Sequence, residues 1–240
     1  MSSTVRAATY LDKGGTGKTT CTAHLGVALQ NHGESVLLVD LAGKQGDLAK
    51  VFGVWDEVKT EITNEDDFPN IATTMRNRWE DIADMLSTEE IVRRLVKSTG
   101  EGVDLIPAHP DLDGLDDALG NVDDIEERYT RLRRFLNEYI DPMDYDVVLL
   151  DLPGSSNHIT YNGLWAAGSV MAPVQMGPFE LEQARGLRDD IKKIQNNYGE
   201  DIELTMLIPN LYDRRTNLDE EVLEQFTEGF GDILAPATVV

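Results

Sequence analysis

The sequence predicts an α/β fold, in which a doubly wound, mostly parallel sheet carries helices on both faces. Strand-like and helical segments alternate along the chain, as in successive βαβ units. The run Ser35 to Leu41 is almost continuously apolar, which is typical of a strand covered on both faces. A chain of 240 residues can bury one full-sized core, and nothing in it marks a linker. We therefore expect a single domain spanning residues 1–240.

The predicted strands are short runs rich in Val, Ile and Leu that end near Gly, Pro or Asp. Each is short enough for a strand, and a helical pattern separates most neighbouring pairs. In chain order they are Val5 to Leu11, Ser35 to Leu41, Val103 to Ala108, Asp146 to Leu152, Ser169 to Gln175 and Ile202 to Ile208.

The predicted helices are longer segments with amphipathic spacing. Gly33 is placed to stop the first of them, and a capping-box pattern opening at Thr88 starts the second. The acidic run Glu61 to Asp67 lies in a less regular stretch, and we expect it to be a solvated surface, with a mobile loop or a partner-contacting insert as the alternatives. The helices are predicted at Thr19 to His32, Thr88 to Lys97, Asp124 to Tyr139, Ile159 to Ala167, Glu180 to Tyr198 and Asp219 to Glu228.

The chain is strongly acidic. It has 44 Asp and Glu against 21 Lys and Arg, for a formal charge of −23, yet its hydrophobic fraction of 41% is ordinary for a globular protein. The surplus Asp and Glu side chains must lie on the surface. This pattern favours a salt-rich, halophilic cytosol, where a short Debye length screens self-repulsion. An acidic surface for a partner is the alternative.

Cysteine and histidine usage excludes several kinds of site. Cys21 is the only cysteine, so the chain cannot form an internal disulfide or a cysteine-built metal cluster. His24, His32, His109 and His158 show no ligand spacing, and we interpret them as structural or surface residues. We find no apolar run of membrane-span length and no signal-peptide core, so a cytoplasmic protein without membrane attachment is expected.

The most informative segment is KGGTGKTT, residues 13–20, which lies between the first predicted strand and helix. Glycines let backbone N–H groups converge on an anion at a helix N-terminus. Lys18 would contact the β- and γ-phosphates, and the Thr19 hydroxyl would contact Mg²⁺. The strict Walker pattern G-x-x-x-x-G-K-[ST] fails because Asp12 replaces its first glycine. The variant K-G-G-x-G-K-T matches, and it predicts a phosphate-binding loop.

Two predicted strands end in a carboxylate. Asp40 ends the second strand, and Asp151 follows the apolar run Val147 to Leu150. Both groups would lie at the sheet edge next to the glycine loop, suited to holding Mg²⁺ or its water shell. A single strand-end Asp is more often a cap or turn residue. The two carboxylates together with the loop predict a nucleotide site.

With these motifs in this order, the chain resembles the ParA/MinD group of deviant Walker A ATPases, and within it the ParA/Soj partitioning ATPases. The resemblance runs from Val5 almost to the end of the chain and implies a P-loop NTPase fold. It is carried by KGGTGKTT, VLLVDLAGKQGDL, YDVVLLDLPGS, APVQMGPFELEQARG and LIPNLYDRRTNL.

The resemblance implies ATP and Mg²⁺ as cofactors and an ATP-dependent homodimer that hydrolyses ATP. Lys13 would be the signature lysine that reaches the partner's phosphates, with Lys18 and Asp40 completing the catalytic set. Thr19, Asp40 and Asp151 would be the magnesium-side groups. The remaining nucleotide contacts would come from Gly14, Gly15, Thr16, Gly17, Lys18, Thr19, Thr20, Asn210 and Pro236.

The chain departs from the family at the residue that positions the attacking water. Family members read D-x-D after the second strand, and here Ala42 replaces the second Asp. The loop Gly43 to Asp47 is one residue longer than usual, so Asp47 or Gln45 could approach the water instead. Without such a substitute we expect slow ATP hydrolysis and a function that depends mainly on ATP binding.

Two further departures concern length and charge. The chain stops at Val240, before a further helical segment of the family, and it shows no basic amphipathic membrane helix at that end. The family implies contacts with non-specific DNA through surface Arg and Lys and with a ParB-like or cargo adaptor. Neighbouring acidic residues offset the positive charge of both arginine clusters, so a solvated surface is the favoured interpretation. The clusters are Arg131, Arg133 and Arg134 on one helix and Arg214 with Arg215 in a loop.

Three functions are compared. The favoured one is an ATP-dependent dimerising switch that positions or segregates DNA or another cargo. A non-hydrolysing ATP-binding scaffold shares every motif except the water-positioning Asp, and Ala42 favours it. A reductase-type iron–sulfur relative needs bridging cysteines, which the lone Cys21 argues against.

Overall fold

The computed structural model describes residues 4–43, 45–213, 215 and 217–239. In this part of the chain the sheet has seven strands in the order β3-β4-β2-β5-β1-β6-β7. All neighbouring strands are parallel except β3, which runs antiparallel to β4. The strands are β1 Val5–Thr9, β2 Val36–Asp40, β3 Lys97–Ser98, β4 Asp104–Ile106, β5 Val147–Asp151, β6 Ser169–Val174 and β7 Glu203–Pro209.

The helices are α1 Lys18–Asn31, α2 Asp47–Val51, α3 Trp55–Asn64, α4 Trp79–Ala83, α5 Thr88–Leu95, α6 Leu112–Gly120, α7 Ile125–Tyr129, α8 Arg131–Phe135, α9 His158–Ala167, α10 Pro178–Tyr198 and α11 Asn217–Phe230. Helices pack on both faces of the sheet, so the predicted fold class is confirmed. Among the described residues, no helix combines the length and the apolar character that crossing a membrane requires.

The central strands are buried on both faces. Every residue of β2 and of β5 is buried, and alternate side chains of each strand enter two separate cores. One core is built against α9 and α10, and the other against α1, α2 and α3. Since the strands end at one edge, their last residues are held there by packing from both sides.

Several element predictions need correction. The N-cap of α5 is Ser87, whose Oγ accepts a hydrogen bond from Glu90 N at 3.2 Å, so Glu90 stands at the third helical position that a capping box requires. The helix predicted over Asp124 to Tyr139 is broken at Thr130 and continues after α8 as a π turn, Leu136–Ile140. The sequence patterns also missed the two-residue strand β3 and the helices α2, α3, α4 and α6.

The acidic run Glu61 to Asp67 is only partly a solvated surface. Its middle is exposed, but Glu61 pairs with Lys97 at 2.5 Å and Asp67 pairs with His109. The histidines lie as predicted, in structural or surface positions: His109 is buried against Asp67, His158 bonds to Tyr129 Oη at 2.9 Å, and His24 and His32 are exposed. The ends of the run therefore hold separate parts of the chain together.

Candidate functional site

The glycine loop follows β1 and leads directly into α1. Gly15 and Gly17 have φ angles of 74° and 90°, a left-handed conformation that residues with a Cβ rarely adopt. Helix α1 begins at Lys18 with no side-chain cap and no acidic residue in its first turn. Its first N–H groups therefore receive no side-chain cap, which is the arrangement that an anion-binding helix N-terminus requires.

Lys18 folds back over the loop. Its Nζ donates to Lys13 O at 2.6 Å and to Leu11 O at 3.2 Å, and the side chain is buried. Burial lowers the pKa of Lys18, and the nearby carboxylates of Asp151 and Asp12 act against this shift. The ammonium is thus placed inside the loop, next to an acidic group.

Asp40 and Asp151 are paired in register at the ends of β2 and β5. They are the buried carboxylates among the described residues, with 1% and 0% exposure. Asp40 accepts hydrogen bonds from Ala42 N at 3.0 Å and Leu48 N at 3.4 Å, whereas neither oxygen of Asp151 has a hydrogen-bond partner in the described structure. The sequence-predicted pair is therefore brought together.

Burial raises the pKa of both carboxyl groups, to about 6 for Asp40 and about 7 for Asp151. For Asp151 the charge of Asp40 adds to the effect of burial, while the nearby Thr19 hydroxyl and the Lys18 ammonium act against it. The Lys18 ammonium offsets only part of the negative charge that two buried carboxylates carry, and Mg²⁺ would supply further positive charge through oxygen ligands. The residues present therefore fit the predicted magnesium site, with Thr19 as the nearby hydroxyl.

The side chain of Lys13 is held by residues of its own chain. Its Nζ pairs with Glu180 Oε1 at 2.5 Å and lies 5.4 Å from the centroid of the Phe179 ring. The hydrogen bond from Lys13 lowers the pKa of Glu180. Lys13 O also accepts from Lys18, so the backbone and the side chain of this residue are both engaged within the chain.

Asn210 packs against the loop. Its Nδ2 donates to Thr16 O at 2.8 Å, and a Cβ on Gly17 would lie 2.2 Å from the same nitrogen. Pro236 is exposed and follows the short bridge between Leu234 and β7. The assignment of Asn210 and Pro236 to adenine contacts stays a prediction.

The segment after β2 brings no second acidic side chain into hydrogen-bond contact with the site, as far as its described residues show. Ala42 is exposed, and its backbone N–H contacts Asp40. Asp47 stands in the first turn of α2, where it pairs with Lys50 at 3.2 Å on the surface. Gln45 is exposed, and Lys44 lies outside the described residues. A substitute role for Asp47 or Gln45 stays a prediction.

Sequence reasoning missed several polar contacts of the loop. Gln175 Nε2 donates to Gly15 O at 3.2 Å, and Ser156 Oγ donates to Asp12 Oδ2 at 3.0 Å. Ser156 also lies 3.0 Å from Tyr10 Oη, at the edge of a cleft of about 190 Å³ between α9 and α10. Asp12, which breaks the Walker pattern, therefore anchors the loop to the segment after β5.

The predicted arginine clusters are largely paired with acids. The solvated interpretation is wrong for Arg131, which is buried and donates to Met75 O at 2.9 Å. Arg133 pairs with Glu200 at 2.6 Å, and Arg215 pairs with Asp213 at 2.8 Å. Arg134 is half exposed, and Arg214 lies outside the described residues.

The chain is similar in sequence to a protein family and to curated partitioning proteins. A family model described as an AAA domain matches residues 6–204. The chain is 32% identical to the chromosome partitioning protein ParA of Caulobacter vibrioides, over 95% of this chain and 77% of that protein. It is 31% identical to the sporulation initiation inhibitor protein Soj of Bacillus subtilis, over 92% of this chain and 78% of that protein.

Solved structures agree with this grouping. Cobyrinic acid a,c-diamide synthase from Mycobacterium smegmatis, solved with an ATP analogue and magnesium, superposes with a TM-score of 0.74 at 30% identity, covering 95% of this chain and 83% of that one. McdA from Cyanothece, solved as the ATP complex of a variant, shares the fold with a TM-score of 0.73 at 16% identity, covering 98% of this chain and 82% of that one. The chain belongs to the ParA/MinD-type family of P-loop ATPases.

Proposed function

We propose that this protein is a Mg²⁺-dependent ATPase of ParA type, whose ATP-bound form dimerises to position or segregate DNA or another cargo. The observation that carries the proposal is the buried pair Asp40 and Asp151, which stands beside Lys18 at the end of the glycine loop. The solved relative with an ATP analogue and magnesium, and the ParA and Soj relatives, support it.

Each part of the site has a defined task. The N–H groups of the loop and the first turn of α1 would bind phosphate, and Lys18 would exchange its bonds to the carbonyl groups of Leu11 and Lys13 for phosphate oxygens. Asp40, Asp151 and Thr19 would hold Mg²⁺, which neutralises charge that develops on the phosphates. Lys13 would contact phosphates bound to a second copy.

A second candidate function is a scaffold that binds ATP and hydrolyses it very slowly. The observation in its favour is that Ala42 offers only a backbone N–H to the site, while Asp47 pairs with Lys50 on the surface. Such a protein would signal through its long-lived ATP-bound dimer. Measuring bound ATP and released phosphate in a single turnover separates the two functions.

We extend the proposal to the protein's location, partners and surface charge. We place the protein in the cytoplasm as one domain, with a ParB-like or cargo adaptor as partner. The formal charge of −23 favours a salt-rich cytosol and opposes extended contact with DNA phosphates. DNA contact would need a local basic surface, and the described arginines of the two clusters mostly pair with acids.

The experiment that tests the proposal is calorimetric titration of the protein with ATP in the presence and the absence of Mg²⁺. We expect saturable binding that Mg²⁺ strengthens and that Asp151→Asn makes insensitive to Mg²⁺. Binding of ATP that is equally tight with and without Mg²⁺ in the parent protein would contradict the assignment of the carboxylate pair.

A further inference from the structure

The Lys13 ammonium is held by a carboxylate of its own chain. Glu180, in the first turn of α10, accepts its hydrogen bond at 2.5 Å, and the neighbouring Phe179 ring lies 5.4 Å away. The two charged side chains are only 27% and 13% exposed. Water and salt therefore screen this pair less than the exposed pairs elsewhere on the surface.

The start of α10 places the carboxylate of Glu180 next to Lys13. A Cβ on Gly177 would lie 2.1 Å from Glu180 Oε2, so a larger residue at this position would require the carboxylate to shift. The φ of Gly177 is −152°, an extended conformation that any residue adopts. Glycine at this position leaves the observed carboxylate position free, and its backbone is unstrained.

We infer that Glu180 is a positioning residue that keeps Lys13 within its own chain until two nucleotide-bound copies meet. This rests on the proposed function, in which Lys13 contacts phosphates on the second copy. Lys13 must leave Glu180 to do so, because a carboxylate carried along would meet like charge on the phosphates. Each dimer opens two such pairs, so Glu180 weakens association and opposes dimers with incompletely occupied sites.

The test compares Glu180→Gln with Glu182→Gln in the presence of Mg²⁺ and a slowly hydrolysed ATP analogue. Glu182 belongs to the same helix and pairs with Arg185 at 2.6 Å on an exposed surface, so it is a matched control. A partly exposed ion pair of this kind changes an equilibrium constant about two- to fivefold, and two such pairs open when one dimer forms. Sedimentation should show Glu180→Gln associating about 4- to 25-fold more tightly than the parent, with Glu182→Gln unchanged.

A double-mutant cycle separates this role from general support of the helix. Lys13→Ala should itself weaken association, because it removes the contact with the second copy, so this background is measured at higher protein concentration. There Glu180→Gln should add no further change in self-association, because the carboxylate has no lysine to hold. Thermal melts of all variants check that each one is folded. An equal gain from Glu180→Gln with and without Lys13 would overturn the inference.

The remaining outcomes separate a failure of the role of Glu180 from a failure of the proposed dimer. If the parent binds the analogue but neither it nor Glu180→Gln associates, the proposed dimer is wrong, and the role of Glu180 is refuted with it. If the parent associates and Glu180→Gln associates equally or more weakly, the dimer stands. Glu180 then does not restrain Lys13.

Discussion

Asp40 and Asp151 face the same end of the sheet from neighbouring strands, and each is the last residue of a strand that is buried throughout. Their placement is a consequence of packing, since both strands are covered on two faces and cannot shift to expose their ends. Two ionised groups this close and this buried repel one another and lack hydration. Burial raises the pKa of both groups, the charge of Asp40 raises that of Asp151 further, and a bound divalent cation would offset this excess of negative charge.

Asp151→Asn should stabilise the nucleotide-free protein at neutral pH. The folded-state pKa of about 7 exceeds the ordinary value of 3.8, so the folded protein binds more protons than the unfolded chain between these values. Stability due to this group therefore falls as pH rises from about 4 to about 7. The difference between these two pKa values corresponds to about 4 kcal/mol, so the variant should gain up to that amount over the parent above pH 7 and nothing near pH 4. Urea unfolding at several pH values measures the difference.

Mg²⁺ together with ATP should reverse the order of stability of the parent and Asp151→Asn. The metal binds the deprotonated carboxylates, so with Mg²⁺ and ATP the parent should be the more strongly stabilised protein at pH 8, and its advantage should shrink below pH 7. Asp104→Asn is a suitable control, because Asp104 is a half-buried carboxylate at the far end of β4. A parent and an Asp151→Asn variant that gain equally from Mg²⁺ and ATP would remove Asp151 from the metal site.

Lys18→Ala should weaken ATP binding by about one to two decades. The side chain would contribute charge-assisted hydrogen bonds to phosphate worth roughly 1.5–3 kcal/mol, and alanine removes them. Calorimetry gives the dissociation constants. Lys193→Ala is the control, since Lys193 is 70% exposed and pairs with Asp190 away from the loop. Equal affinities of the parent and Lys18→Ala would show that Lys18 does not contact the phosphates.

Stability should depend strongly on salt. The formal charge is −23, and nearly all of the described carboxylates are at least partly accessible to solvent. Lowering ionic strength from 1 M to 0.01 M lengthens the Debye length from about 3 Å to about 30 Å, so charges across the surface begin to repel one another. The melting temperature should fall over that range. A constant melting temperature would refute the proposal of a salt-rich cytosol.

The loop and the carboxylate pair could be predicted because their signals are local. A glycine-rich turn before a helix and an Asp at the end of an apolar run are each visible within a short stretch of sequence. The pairing of Lys13 with Glu180 was not predicted, since 167 positions separate the two residues and neither is unusual alone. Strand β3 was missed because two residues carry no alternating pattern.

Ala42→Asp should raise the rate of ATP hydrolysis. The resemblance places a water-positioning carboxylate at this residue, and Ala42 contributes only its N–H, which binds Asp40. Orientation and general-base help from a carboxylate is typically worth about 10²–10⁴ in rate. Single-turnover release of phosphate from prebound ATP measures the chemical step. Val51→Asp is the control, since Val51 is 59% exposed at the end of α2 and the substitution adds the same charge on the surface.

Asp47→Ala decides whether the lengthened loop has taken over this role. Asp47 pairs with Lys50 on the exposed side of α2, so we expect the substitution to change the hydrolysis rate by less than about twofold. A parent that turns over ATP rapidly, together with an inactive Asp47→Ala, would show that the carboxylate leaves Lys50 when nucleotide binds. The slow-switch interpretation would then be wrong, because the longer loop would supply the group that Ala42 lacks.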